Sequence, residues 1–167
     1  MTVEFRCATA RGRAYAARLR ADAERLLDLT RLARCELSLT LTSDRAIRAL
    51  NRNFRGKDTP TDVLSFSQIE EVGKASDELP AIPEIPGAPL GDIMISIDTA
   101  LAQAREYRIA PARRLRTLLV HGFLHLLGYD HERSPAAARR MFARQRRLEA
   151  RLATPSATRH KTAAVSR

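Results

Sequence analysis

The apolar and polar positions of this chain fall into nine blocks of strand-like or helix-like spacing. Residues 3–8 read as a short strand, and residues 12–33 carry Tyr15, Leu19, Ala23, Leu26 and Leu27 at helical intervals. Residues 37–41 alternate and read as a second strand. Ser43 suits an N-cap, because its hydroxyl can accept a backbone N–H that a first helical turn leaves unpaired, so a helix is expected over 44–53 and a loop over 54–60. Residues 62–66 and 92–97 read as strands. Helical spacing returns over 98–107, 111–127 and 135–152. Pro111 and Pro135 suit first helical positions, and Ser134 the cap before the latter. The order βαβαββααα predicts an α+β domain, a small mixed sheet covered by helices.

Between the third and fourth strands, residues 67–90 contain Pro80, Pro83, Pro86 and Pro89 among several acidic residues. Proline at that density forbids a helix and disfavours a ladder, so an extended loop is expected. The sheet needs the strands on both sides, so this is no linker, and residues 1–152 are expected to make one domain. Residues 153–167 are small, polar and basic, with no apolar pattern, and are expected to be a disordered tail. No run approaches the roughly 20 apolar residues that cross a bilayer, and the first residues lack the apolar core of a signal peptide, which points to the cytoplasm. Cys7 and Cys35 form no C-x-x-C pair and are expected to be free thiols.

Charge adds an asymmetry. Up to residue 110 the chain holds 16 Lys/Arg against 16 Asp/Glu, whereas from Pro111 onward it holds 13 against 3, so the whole net charge of +10 lies in the last third. A polyanionic partner would account for this, since Lys and Arg that neutralise phosphates release counterions. So would a solvated arginine-rich surface.

Three of the four histidines, His121, His125 and His131, lie in one short segment. Histidines four apart stack on one helix face, near enough to reach one ion. Gly128 can supply the left-handed turn that ends the helix and returns the chain with His131. Three nitrogen ligands in this pattern fit Zn²⁺ with a fourth position left for water. The helix around them is apolar almost all round and belongs in the core, where a shared cation would satisfy imidazole nitrogens that are otherwise costly to bury. The spacing H-x-x-x-H-x-x-G-x-x-H matches metzincin proteases, in which a glutamate after the first histidine is the general base. That position here is Gly122, so the protease mechanism lacks its base. Asp130 is placed either to handle protons or to orient a ligand histidine.

The segment from His121 to His131, H-G-F-L-H-L-L-G-Y-D-H, resembles the signature of the YbeY-type rRNA maturation factors. Two further segments agree with it. Residues 51–66, N-R-N-F-R-G-K-D-T-P-T-D-V-L-S-F, resemble that family's segment ending in P-T-D-V-L-S-F, and Gly91-Asp92-Ile93 falls where the family has a G-D-I strand. The resemblance covers about residues 30–150. It implies an α+β fold, a zinc held by His121, His125 and His131, and single-strand-specific endoribonuclease activity in ribosomal RNA maturation, notably at the 3′ end of 16S rRNA. Ribosomal RNA and ribosome or small-subunit assembly proteins are the partners it implies. It also assigns the family's functional arginine to Arg55, with Lys57 in the same R-G-K segment. A planar guanidinium can hold two phosphate oxygens and oppose charge that develops in cleavage. From residue type alone, Arg55 would instead make an ion pair in its loop, with Asp58.

Arg140, Arg144, Arg147 and Arg151 share one face of the last helix, beside an apolar stripe of Met141, Leu148 and Leu152. They form either a solvated face or a surface that tracks RNA phosphates. Aromatic residues are few and mostly sit in apolar patterns, which gives base stacking little support. Two other functions remain open: an assembly factor that binds ribosomal RNA with a structural metal, and a metal-dependent hydrolase of another substrate.

Overall fold

Leucine and isoleucine at alternate positions build a sheet with one buried face. Leu37, Leu39 and Leu41 in β2 (Glu36–Thr42) and Ile93 and Ile95 in β4 (Pro89–Ser96) are all 1% exposed or less. With β1 (Val3–Cys7) and β3 (Val63–Ser67) these strands form a four-stranded mixed sheet in the order β1-β2-β4-β3. β1 pairs with β2 and β2 with β4 in parallel, whereas β3 lies antiparallel to β4 at the edge, with Ser65 opposite Ile93. The helix α1 (Arg13–Leu29) makes the crossover that the parallel β1–β2 pair requires. The computed structural model describes residues 2–69 and 86–154. Most of the expected loop, residues 70–85, and the expected tail from 155 onward lie outside the described residues.

The buried sheet face is covered by α4 (Pro111–Leu126), with α1 and α5 (Pro135–Ala153) packed against it. Leu115, Leu118, Leu119, Val120, Phe123, Leu124 and Leu126 are buried in α4, so it is the central helix that its apolar composition predicts. Polar contacts help fix this layer. Arg116 donates from Nε and a terminal nitrogen to Asp22 of α1 at 3.0 and 3.3 Å, an ion pair buried on both sides. Arg25 of α1 donates to the carbonyls of Arg151 and Leu152, satisfying the C-terminal end of α5.

Ser43 and Ser134 cap their helices as expected, accepting from Ala46 and Ala137. Several boundaries differ from the sequence reading. α1 stops at Leu29, and not near residue 33, because Arg31 turns left-handed (φ 61) and the Leu32 amide closes the end on Leu27. The helix α2 (Asp44–Arg55) runs on to the left-handed Gly56, so Phe54 and Arg55 are helical and not in a loop. Ser67, Pro89 and Leu90 are strand residues, not loop. Ile97 opens α3 (Ile97–Glu106) because the Ser96 hydroxyl caps it directly at the end of β4.

Candidate metal centre

His121 and His125 stand one turn apart on α4. Beyond the helix end, Gly128 adopts φ 86 and the Tyr129 amide bonds back to Leu124, which returns the chain so that His131 meets the other two. The ring centroids are 4.7, 5.1 and 5.2 Å apart, and one nitrogen from each ring lies within 4.8 Å of the others. His121 Nε2 and His125 Nε2 face each other at 3.1 Å, while His131 Nδ1 is buried with no hydrogen-bond partner among the described residues. One nitrogen from each of three rings, gathered this closely, fits a cation, which would satisfy all three at once. Burial pushes the His125 imidazolium down to about 4, with the neighbouring histidines adding to the effect. It also lowers His121, against an opposing hydrogen bond from Gln145. Both rings are therefore neutral at pH 7, with lone pairs free for a metal.

The surroundings explain the missing glutamate. A Cβ on Gly122 would come within 2.9 Å of Ser65 Oγ, 3.0 Å of Ile93 Cγ2 and 3.2 Å of Val63 Cγ2. The position faces the sheet, and glycine there lets α4 approach β3 and β4 closely; a side chain would meet strand atoms. Asp130 accepts from the Glu132 amide and so holds its own turn, with its charge reaching His125 only through space. The group that orients a histidine is Gln145 of α5, whose Oε1 lies 3.1 Å from His121 Nδ1. Its Nε2 donates to Glu149 at 2.9 Å. Sequence reasoning does not single out this pair; the available signal is their i,i+4 spacing beside the buried stripe of Met141 and Leu148.

Residues 7–153 match the family model described as Endoribonuclease YbeY. The chain belongs to the YbeY family. It is 47% identical over 148 residues to an endoribonuclease YbeY of Anaeromyxobacter sp. (strain Fw109-5), covering 89% of this chain and 70% of that protein. It is 50% identical over 123 residues to one from Chloroflexus aggregans, covering 74% and 77%. A Thermotoga maritima protein of known solution structure shares the fold, with a TM-score of 0.59 at 24% identity over 90% of this chain and 89% of that one.

In this YbeY-family chain the other expected site residues lie at the end of α2, in the segment after it and on α5. Arg55 ends α2 exposed, and its expected partner Asp58 is taken by Arg48 in a two-pronged contact at 2.9 and 3.0 Å. Lys57 is exposed in the turn that follows. Arg140, Arg147 and Arg151 are exposed on α5, whereas Arg144 is partly buried and its Nε has no partner among the described residues. Arg139 and Arg146, which the sequence reading leaves out, are exposed as well. Phe142 departs from the expectation that aromatics serve the core: it is 39% exposed and its ring lies 5.6 Å from that of His131. A groove of about 980 Å³ lies on the sheet face turned away from α4, where Phe54, Phe66, Asp92 and Met94 line it. None of the three histidines does.

Proposed function

We propose that this chain is a single-strand-specific, zinc-dependent endoribonuclease of ribosome maturation, acting in the cytoplasm on ribosomal RNA that includes the 3′ end of 16S rRNA. The observation that carries the reading is the three-histidine cluster, whose two α4 rings are held neutral by burial, in a chain of an endoribonuclease family. His121, His125 and His131 would hold the ion through their imidazole nitrogens. When bound, a divalent ion there supplies Lewis acidity toward a phosphoryl oxygen and eases deprotonation of water. Burial of the two α4 histidines keeps them unprotonated as ligands. Arg55, with no hydrogen-bond partner among the described residues, is free to take two phosphate oxygens and oppose the charge that grows on them. Lys57 and the α5 arginines hold the flanking phosphates. No membrane-crossing helix is present among the described residues.

Cleavage of a labelled single-stranded RNA by wild type and by Arg55→Ala, with metal content measured on both, tests this reading. Wild type is expected to hold one zinc and cut, and the zinc-loaded variant to cut about 100-fold more slowly. Two zinc-loaded proteins that both fail to cut would make the metal structural and the chain an assembly factor for ribosomal RNA.

A further inference from the structure

We infer that Gln145 and Glu149 of α5, with Thr117 of α4, form a positioning relay that fixes His121 with its Nδ1 protonated and its Nε2 lone pair turned toward the metal. The inference rests on the metal-binding part of the proposed function and on no feature of RNA cleavage.

Each role in the relay follows from the previous one. A carboxylate only accepts, so at Glu149 both neighbours must donate: the Thr117 hydroxyl at 3.3 Å and the Gln145 amide nitrogen at 2.9 Å. With its NH₂ committed there, Gln145 can turn only its carbonyl oxygen to His121 Nδ1, 3.1 Å away. A carbonyl accepts, so Nδ1 carries the proton. In a neutral ring the remaining nitrogen, Nε2, then bears the lone pair, and this is the nitrogen that faces His125 in the cluster.

The placement is specific. Thr117 and His121 are four apart on α4, Gln145 and Glu149 four apart on α5, so two helical turns meet as a ladder. α5 contains six arginines and one glutamate, yet that glutamate makes no ion pair among the described residues and points its two oxygens at uncharged donors. A carboxylate one amide removed from a ligand imidazole fixes its tautomer and raises its basicity toward a cation.

Two readouts on the metal-free protein test the relay: Zn²⁺ affinity by competition with a chromogenic chelator, and the His121 tautomer by long-range ¹H–¹⁵N spectra. Gln145→Leu is expected to weaken Zn²⁺ binding about 10–100-fold and to lose the Nδ1–H signature. The exchange Gln145→Glu with Glu149→Gln keeps every donor opposite an acceptor and is expected to restore both. Thermal unfolding checks that each variant folds, and Gln145→Met, which keeps the side-chain length without an amide, serves if Gln145→Leu does not. A folded single variant with wild-type affinity and tautomer overturns the relay, and so does an exchange that restores neither. A wild type that binds no Zn²⁺ overturns the metal reading and the relay together, whereas loss of RNA cleavage alone touches only the proposed function.

Discussion

Burial sets the behaviour of the imidazoles before any ligand arrives. In the unfolded chain His125 titrates near 6.5, but in the folded protein it is held down to about 4, and His121 is lowered in the same direction. Between these values the unfolded state binds more protons than the native one, so stability present above pH 6.5 is lost as the pH falls toward 4. Metal-free protein is therefore expected to unfold at lower denaturant concentration at pH 5.5 than at pH 7.5, a window above most carboxylates, and His125→Gln to flatten the difference. Equal midpoints for the wild type would show that the histidines are not buried as neutral groups. The histidine triplet and the Gly128 turn were legible in the sequence because each depends on local spacing alone. Gly122 was legible only as a missing base. Its actual reason, the 2.9 Å approach to Ser65, belongs to a strand more than 50 residues away in the chain.

Element boundaries follow the same division. Capping serines and the left-handed Gly56 act within a few residues, and Ser43, Ser134 and Ser96 start helices by hydrogen bonds to their own first turns. Partners between helices depend on packing that spacing does not encode. Arg116 is one of 13 basic residues after residue 110, and nothing in its neighbourhood announces that Asp22 waits on α1. That pair links α1 to the histidine-bearing helix α4, and both side chains are close to 10% exposed. Removing one member strands the other charge in the core, so Asp22→Ala is expected to destabilise the protein by about 3–5 kcal/mol in denaturant melts. A loss under about 1 kcal/mol would mean that water reaches Arg116 and that the helix layer is held by apolar packing alone.

Across the whole molecule, the helix whose Gln145 contacts His121 also carries much of the positive charge. α5 turns Gln145 and Phe142 toward the histidines and exposes Arg139, Arg140, Arg146, Arg147 and Arg151 to solvent. A single RNA strand lying along α5 would meet the histidine cluster and the arginines on one element, as the phosphate-tracking reading of the basic face requires. The two readings separate in salt. Each phosphate contact adds roughly 0.7 to the slope of log affinity against log salt for a single strand, so the variant Arg140→Gln/Arg147→Gln/Arg151→Gln is expected to lower that slope by about 2 while zinc content stays at the wild-type value. An unchanged slope would leave these arginines as a solvated face whose stems cover the core edge at Met141, Leu148 and Leu152, and would move the RNA path to the Arg55–Lys57 turn.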